Sequence, residues 1–252
     1  MQERAACRFA SHVITVSEHW RRALVARGVP ESKCSVVMNL ADERVFTPLP
    51  RPDRDRSSFE LVYHGTVVER YGLDLAVRAV AKLRDRIPGI HLTVLGMGDH
   101  MATLRRLCSE LGVESNVTLR DELLTADQLP PILARADLGV VPYRNDVFTD
   151  GLLPTKLMEY AAMGIPCVAA RTTAIETYFG DANVELFEPG DADDLAERIR
   201  VLYEDPDRLA ATAARAAAFT GRHSWERTSR EYVALVDRLR AAGRPARRAA
   251  GA

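Results

Sequence analysis

The stretch FELVYHGTVVERYGLDLAVRAVAKLRDRIPGIHLTVLG (59–96) contains two short apolar runs separated by a helical pattern. The runs FELVYHG (59–65) and IHLTVLG (90–96) are apolar almost throughout, which is typical of strands covered on both faces. Between them, apolar side chains recur at the spacing of a helix that packs one face on a core. The pattern predicts a strand–helix–strand unit with parallel strands.

The same alternation continues along the chain after this unit. Further strands are predicted at NVTLRD (116–121), LGVVPY (138–143), CVAA (167–170) and VELFE (184–188), with helical patterns between them. Repeated units of this kind form a single sheet with helices on both faces. We therefore predict an α/β fold, a Rossmann-like doubly wound parallel sheet, over residues 59–204.

The segment PLPRPDRDRSS (48–58) divides the chain, because its Pro, Arg, Asp and Ser residues cannot form a core. Upstream of it only one helix (18–27) and the strands VITVS (13–17) and CSVVMN (34–39) are predicted, too little for a domain. We predict the following division: 1–47, the remnant of a larger domain; 48–58, a linker; 59–222, the main domain; 223–240, a C-terminal helix; 241–252, a disordered tail.

Charge and cysteine content exclude several classes of protein. Lys and Arg number 34 against 35 Asp and Glu, so no net field attracts nucleic acid. The four cysteines form no CxxC pair, which favours a reducing cytoplasm over a disulfide framework. No apolar run reaches the roughly 18–20 residues that span a bilayer. We expect a cytoplasmic protein without a transmembrane segment, and peripheral contact with a membrane stays open.

The segment FTDGLLPTKLMEYAAMGIPCVAA (148–170) leads from a loop into a helix whose first residue is predicted to be Pro154. Leu153 cannot cap the free N–H groups, and Lys156 places a cation at the positive helix end. Both choices become favourable if a diphosphate docks there. The alternative is a solvated helix end with an exposed lysine. The residues assigned to this site besides Lys156 are Asp150, Gly151, Leu152, Leu153 and Thr155.

Two further segments supply candidate ligand contacts. Glu159 follows Thr155 by one helical turn and is expected to accept hydrogen bonds from a ribose diol, although an isolated helix glutamate is more often on the surface. In HGTVVERYG (64–72), Gly65 and Thr66 open a loop after the first strand, from which Arg70 reaches a phosphate. The alternative is a plain turn with an exposed arginine, and we interpret His64 as a buried residue with satisfied hydrogen bonds.

Other motifs are absent or better explained by structure. The string VLGMGDHM (94–101) has Met101 at the sixth position of GxGxxG, which disfavours NAD. The pair Asp53/Asp55 lies in the predicted linker, and Asp191 of the pair Asp191/Asp193 is predicted to cap a helix, so we expect no metal site. GxxxxGK[ST], GxSxG and HExxH do not occur.

The assembled segments resemble the retaining glycosyltransferase family 4, whose members have the GT-B architecture of two Rossmann-like domains facing across a cleft. The matching segments, which occur in the family's order and spacing, are VITVSEHWRRAL (13–24), VVMNLADERVF (36–46), HGTVVERYGLDLAVRAV (64–80), VLGMGD (94–99), RADLGVVPY (135–143), LMEYAAMGIPCVA (157–169) and EPGDADDLAERI (188–199). The resemblance implies a donor-binding domain with the end of an N-terminal GT-B domain.

The resemblance also implies a reaction: transfer of a hexose from a nucleoside-diphosphate sugar to an acceptor hydroxyl, with retention and without an essential metal or other cofactor. Glu159 matches the second glutamate of the family's Glu-x7-Glu pair, which binds the ribose. Gly151 stands at the first position, so the contact to the donor sugar comes from Asp150 beside it, from loop backbone N–H groups, or is absent. Tyr71 occupies the position of the usual diphosphate lysine, which leaves Arg70 and Lys156 as substitutes.

By the same resemblance, the base lies near Arg120 and Leu123, in the loop after strand 116–121. The family's acceptor-binding residues belong to the first domain, so a separate subunit could supply them. The acceptor itself is a glycan, a lipid-linked molecule or a small molecule. The alternatives are a non-catalytic nucleotide-sugar-binding module, a truncated and inactive glycosyltransferase, and an NAD-binding oxidoreductase.

Overall fold

The computed structural model describes residues 2–50, 57–180 and 184–242. The chain divides into two compact units, one formed by Met1–Asn39 with His223–Ala252 and the other by Leu40–Arg222. Most of the predicted linker, including Asp53 and Asp55, lies outside the described residues, as does the predicted tail from residue 243.

The smaller unit contains a short parallel pair of strands. Its elements are α1 (Gln2–Phe9), β1 (Val13–Thr15), α2 (Glu18–Ala26), β2 (Cys34–Val36) and α10 (Trp225–Ala242). The strands pair from Val13 with Cys34 to Thr15 with Val36. Both are shorter than predicted, and the last helix continues two residues beyond the predicted end at 240.

The larger unit is built on a parallel sheet. Its strands within the described residues are β3 (Phe59–His64), β4 (Ile90–Leu95), β5 (Val117–Arg120), β6 (Leu138–Val141), β7 (Cys167–Ala170) and β8 (Glu185–Phe187), in the order β5-β4-β3-β6-β7-β8. Every pair in this order is parallel. The predicted doubly wound sheet is therefore confirmed.

Helices connect the strands and cover the sheet. They are α3 (Leu73–Leu83), α4 (Met101–Leu111), α5 (Leu129–Leu133), α6 (Thr155–Ala162), α7 (Thr173–Tyr178), α8 (Ala192–Glu204) and α9 (Pro206–Arg222). Helix α3 packs against α4 and α8, and α6 packs against α9. The predicted apolar stripe of α3 is buried: Leu73, Val77 and Val80 have no exposed surface.

The sheet interior explains why its strands are apolar throughout rather than alternating. In β6, Leu138, Val140 and Val141 all have 0% exposed surface, because layers cover both faces of the strand. At about 25 cal/mol per Å² of apolar surface, this burial is the main stabilising contribution.

Asp191 caps α8 as predicted, since its carboxylate accepts from the N–H groups of Asp193 at 2.8 Å and Asp194 at 3.0 Å. Each cysteine of the described residues is a free thiol. No described helix combines the length and apolar content needed to cross a bilayer. Over the same residues, no three acidic, His or Cys side chains cluster as metal ligands would.

Candidate functional site

The candidate site lies at the carboxyl edge of the sheet, where β3 and β6 are neighbours. β3 pairs with β4 on one side and with β6 on the other, so the strand order reverses at this point. The loops that leave the two strands are joined where the Arg144 N–H donates to the Arg70 carbonyl oxygen at 3.0 Å, and together they line a crevice. Ligands of doubly wound sheets bind in this crevice.

The loop after β6 is held by bonds between its own side chains and backbone. The Asp146 carboxylate accepts from the N–H groups of Phe148 and Thr149, both at 2.8 Å. The buried Thr149 hydroxyl donates to the Arg144 carbonyl oxygen. The hydrogen bonds to the Asp146 carboxylate hold its pKa below the ordinary value, and the bond from the Thr149 N–H contributes most. The loop therefore enters α6 along a fixed path.

The amino end of α6 has no side-chain cap. Pro154 is the N-cap, in an extended conformation, and the helix begins at Thr155. The prediction that Pro154 is the first helical residue is wrong by one position, but the predicted lack of a cap is confirmed. Within the described residues, the N–H groups of Leu153, Thr155 and Lys156 donate to no other group. Free N–H groups at the amino end of a helix are suited to hold an anion.

Lys156 is buried at this uncapped end, so the exposed-lysine alternative is wrong. Lys156 is only 7% exposed, and its Nζ donates to the Tyr143 hydroxyl at 2.7 Å. Nζ also lies over the rings of Tyr63, Tyr143 and Tyr71, at 4.8, 5.1 and 5.4 Å from their centroids. We call these three residues the tyrosine cage. Such contacts stabilise a cation, but they supply no negative charge.

No described carboxylate forms an ion pair with Lys156. Burial lowers the pKa of Lys156 to about 8, although Tyr71 and Glu159 oppose the shift. A buried ammonium without a counter-ion is costly. A bound anion would supply the missing charge.

Gly65 allows the loop after β3 to pass beside this ammonium. Its φ of +114° lies in the region that side chains disfavour, and a Cβ there would be 3.6 Å from Lys156 Nζ. Gly65 N–H donates to the Leu95 carbonyl oxygen at 2.8 Å, which fixes the turn. Gly65, which we predicted to contact the nucleotide, is therefore adjacent to Lys156.

Glu159 lies one turn further along α6, and the surface alternative for it is wrong. Its side chain is 16% exposed, and one carboxylate oxygen bonds to Nε2 of His64. His64 is 5% exposed and its other nitrogen lies 3.1 Å from the Tyr160 hydroxyl. The prediction that His64 is buried with satisfied hydrogen bonds is confirmed. One of its partners is Glu159, the residue that we expect to contact the ribose.

Arg70 lies further out, on the wall of a cleft of about 740 Å³. Its side chain is 50% exposed, 4.0 Å from the Asp146 carboxylate and 5.3 Å from the Phe148 ring centroid. The residues that line this cleft are Val68, Glu69, Arg70, Asp99, His100, Arg144, Asn145 and Asp146. Thr66 lies in the same loop, where its carbonyl oxygen accepts from the Tyr63 hydroxyl at 2.6 Å.

The residues predicted to contact the base lie at the end of β5. Arg120 is partly exposed and pairs with the Glu122 carboxylate. Leu123 is 80% exposed, an apolar side chain on the rim of the sheet. The structure places both at the carboxyl edge, as predicted, without bringing them into a closed pocket.

The residues before α6 are partly engaged in the loop itself. The Asp150 carboxylate accepts from the Thr173 N–H at 2.9 Å, which joins the loop to the start of α7. Leu152 N–H donates to the Thr149 carbonyl oxygen at 3.2 Å. Gly151 and Leu153 are buried. The Leu152 N–H is therefore already paired within the loop and is not a free donor for a ligand.

The tyrosine cage and the His64–Glu159 contact were missed by sequence reasoning. Tyr63 is the penultimate residue of β3 and Tyr143 follows β6, so both end strands that border the crevice. Polar or aromatic residues at the carboxyl ends of switch-point strands are the signal that points to them.

A parallel sheet of this order is a doubly wound, Rossmann-like sheet, and an uncapped helix and a buried cation lie at its switch point. Residues 58–205, more than half of the chain, match the family described as "Glycosyl transferases group 1". The chain belongs to that family.

Curated relatives agree with this assignment. The chain is 33% identical over 151 residues to a GDP-mannose-dependent alpha-(1-6)-phosphatidylinositol monomannoside mannosyltransferase of Mycolicibacterium smegmatis, covering 58% of this chain and 38% of the relative. It is 32% identical over 212 residues to the D-inositol 3-phosphate glycosyltransferase of Arthrobacter sp. (strain FB24), covering 78% and 49%. The chain therefore spans at most about half the length of these two relatives.

Among solved structures, HepE of Anabaena in complex with UDP superposes with a TM-score of 0.79 and 21% identity. The superposition covers 92% of this chain and 65% of HepE. At this identity the likeness concerns the fold alone, and it confirms the predicted GT-B relationship.

Proposed function

We propose that this chain binds a nucleoside-diphosphate sugar at the amino end of α6 and forms the donor side of a retaining family 4 hexosyltransferase. The observation that carries the proposal is the buried ammonium of Lys156, which has no described counter-ion and belongs to the first turn of a helix without a side-chain cap. A diphosphate supplies the negative charge and the acceptor oxygens that both lack.

The same groups suit the chemistry of sugar transfer. When the bond between the sugar and the diphosphate breaks, negative charge develops on the leaving diphosphate. Lys156 and the N–H groups of Leu153 and Thr155 stabilise that charge, and they are already in place before it forms. Arg70, on the cleft wall, is the second cation of the site. None of these contacts needs a metal ion.

Glu159 orients the donor rather than reacting with it. It lies one helical turn inside the diphosphate position, where a carboxylate can accept from the ribose hydroxyls. The sugar contact that the family's first glutamate would make falls to Asp150 or to the backbone around Gly151. The base rests near Arg120 and Leu123.

The relatives support a nucleoside-diphosphate donor. One is named as GDP-mannose-dependent, and one solved structure of similar fold contains UDP. UDP, GDP and their sugars are therefore the first ligands to test. Because the chain spans about half of its relatives' length, we propose that acceptor-side residues come from a further domain or a separate subunit.

Thermal stabilisation by a panel of nucleotide sugars tests donor binding. We expect UDP, GDP or one of their sugars to raise the melting temperature, with NADH as the control ligand. At a concentration 100 times the Kd, binding adds about 2.7 kcal/mol to the free energy of unfolding. Selective stabilisation by NADH would instead support the oxidoreductase alternative and refute the proposal.

A second assay separates a catalytic donor domain from a binding module. The chain is incubated with the stabilising nucleotide sugar, and released nucleoside diphosphate is measured with and without candidate acceptors. Turnover with an acceptor supports the transferase, and the anomeric configuration of the product tests retention. Binding without turnover under all conditions favours the non-catalytic module.

A further inference from the structure

A chain of buried polar contacts joins β3 to α6 behind the candidate donor site. Nε2 of His64 bonds to one carboxylate oxygen of Glu159, and Nδ1 lies 3.1 Å from the Tyr160 hydroxyl. That hydroxyl donates to the carbonyl oxygen of Val62 at 3.1 Å. The two partners of His64 are thus neighbours in sequence on one helix, while His64 ends the strand at the switch point.

The packing around Tyr160 fixes this arrangement. Tyr160 has no exposed surface, and its ring meets the His64 ring edge-on at 5.1 Å and 79°. Gly139 in β6 provides the necessary space, because a Cβ there would be 2.5 Å from a carbon of the Tyr160 ring. The hydroxyl is therefore held in one place, and it holds the imidazole in turn.

The imidazole has one arrangement that satisfies both partners when it is neutral. Burial lowers the pKa of His64, and this effect exceeds the opposing effect of Glu159. A neutral ring with its proton on Nε2 donates to Glu159, and its Nδ1 shares the single Tyr160 hydroxyl hydrogen with the Val62 carbonyl oxygen. The Tyr160 hydrogen then faces two acceptors, Nδ1 and the Val62 carbonyl oxygen.

This contact engages only one oxygen of the Glu159 carboxylate, Oε2. Within the described residues, Oε1 accepts no hydrogen bond. A glutamate side chain has three rotatable bonds, and without a fixed partner its carboxylate would sample several orientations. His64 removes that freedom and leaves a single acceptor atom for a ligand.

We infer that His64 is a positioning residue that makes the site selective for a ribose with its hydroxyl groups in place. The inference rests on the proposed function, because it assumes that Glu159 faces the ribose of a nucleoside diphosphate. With Oε2 held by His64, the diol hydroxyls donate to Oε1. A nucleotide that lacks both hydroxyls leaves this oxygen, on a side chain that is 16% exposed, without a donor.

The experiment compares UDP and GDP with their 2′,3′-dideoxy forms by calorimetric titration. For the wild-type chain we expect the ribonucleotide to bind roughly 10 to 100 times more tightly, as loss of hydrogen bonds to a charged group implies. His64→Asn places its amide near Nδ1, keeps the Tyr160 contact and removes the donor to Glu159. In this variant the ratio should fall to about threefold or less.

His64→Gln is the matched control, because its amide extends to the Nε2 position and can still donate to Glu159. We expect it to retain most of the discrimination. Tyr160→Phe removes the hydroxyl that holds the imidazole, and the ratio should fall to an intermediate value. Melting temperatures identify variants that fail to fold, and the folded members of this set then carry the comparison.

The outcomes separate the inference from the proposed function. Equal discrimination in the wild type and His64→Asn would overturn the inference and leave nucleotide binding intact. A wild-type chain that binds ribonucleotides and dideoxynucleotides equally would also overturn it. A wild-type chain that binds neither UDP nor GDP would refute the proposed function, and the inference with it.

Discussion

Helices α6 and α8 both follow a strand of the same sheet, but their amino ends are built in opposite ways. At α8, Asp191 caps the helix and Asp193 and Asp194 occupy the first turn, so the positive end of the helix is neutralised by the protein. At α6, Pro154 provides no cap and the first turn carries Lys156.

The difference separates a helix end that the protein itself completes from one that we propose is completed by a ligand. The end of α8 is complete without a ligand, whereas α6 retains unfilled N–H groups and a buried cation. Local choices that are unfavourable for folding mark positions where a ligand completes the structure. The following changes test this contrast between the two helix ends, from the largest expected effect to the smallest.

Lys156→Met should have the largest effect, and it should act in opposite directions on binding and stability. Loss of the ammonium should weaken UDP or GDP binding roughly 10 to 100 times, since charged hydrogen bonds contribute about 1.5–3 kcal/mol. Removing a buried charge without a counter-ion should raise the free energy of unfolding by about 1–3 kcal/mol. Titration calorimetry and urea unfolding measure the two quantities. Weaker binding together with lower stability would indicate a disrupted fold instead.

Glu159→Ala should weaken nucleoside-diphosphate binding by about 1–3 kcal/mol, because charge-assisted hydrogen bonds to the ribose are lost. The binding of inorganic pyrophosphate should change little, since that ligand has no ribose. Titration of both ligands into the wild type and the variant checks the prediction. An unchanged curve for UDP and GDP would remove Glu159 from the site.

Raising the pH should weaken binding through Lys156, whose pKa is lowered to about 8. Above this value the free site loses its proton, and affinity should fall by up to about tenfold per pH unit. The wild-type chain is titrated with GDP between pH 7 and 9. In Lys156→Met the decline should disappear, so a decline that persists there would assign it to another group.

For the lowered pKa of Lys156 we expect the opposite trend in the free energy of unfolding. Below pH 8 the lysine is protonated in both folded and unfolded chains. Between pH 8 and its ordinary value near 10.5, only the unfolded chain still holds the proton. The unfolded state then binds more protons, so the free energy of unfolding rises with pH across this window relative to Lys156→Met.

A matched pair of capping variants should have the smallest effects. Asp191→Ala should lower the free energy of unfolding by about 1 kcal/mol and leave nucleotide binding unchanged. Thr155→Asp places a carboxylate in the exposed first position of α6, where it should add about 0.3–1 kcal/mol of stability and weaken diphosphate binding several-fold. If Thr155→Asp left binding unchanged, the diphosphate would not be at this helix end.

The sheet could be predicted from sequence because its strands are local, continuous apolar runs. β7 at 167–170 matches its predicted bounds, and the predicted Asp191 cap of α8 follows from residues adjacent in sequence. The uncapped end of α6 was also predictable, because it depends on neighbouring residues alone. Local chemistry therefore predicts the uncapped helix end, which we propose as the anion site.

The surroundings of the charged residues could not be predicted in the same way. The tyrosine cage brings Tyr63, Tyr71 and Tyr143 to Lys156 from three separate segments, and His64 reaches Glu159 across 95 residues of sequence. Such contacts depend on strand order and register, which single-sequence patterns do not specify. The hydrogen bond from the Thr173 N–H at the start of α7 to the Asp150 carboxylate could not be predicted for the same reason.

A crystal structure of the chain soaked with UDP or GDP tests the central assignment most directly. We predict that diphosphate oxygens lie within hydrogen-bond distance of the N–H groups at the start of α6 and of Lys156 Nζ, with the ribose beside Glu159. A nucleotide bound elsewhere, with the amino end of α6 still unfilled, would contradict the account.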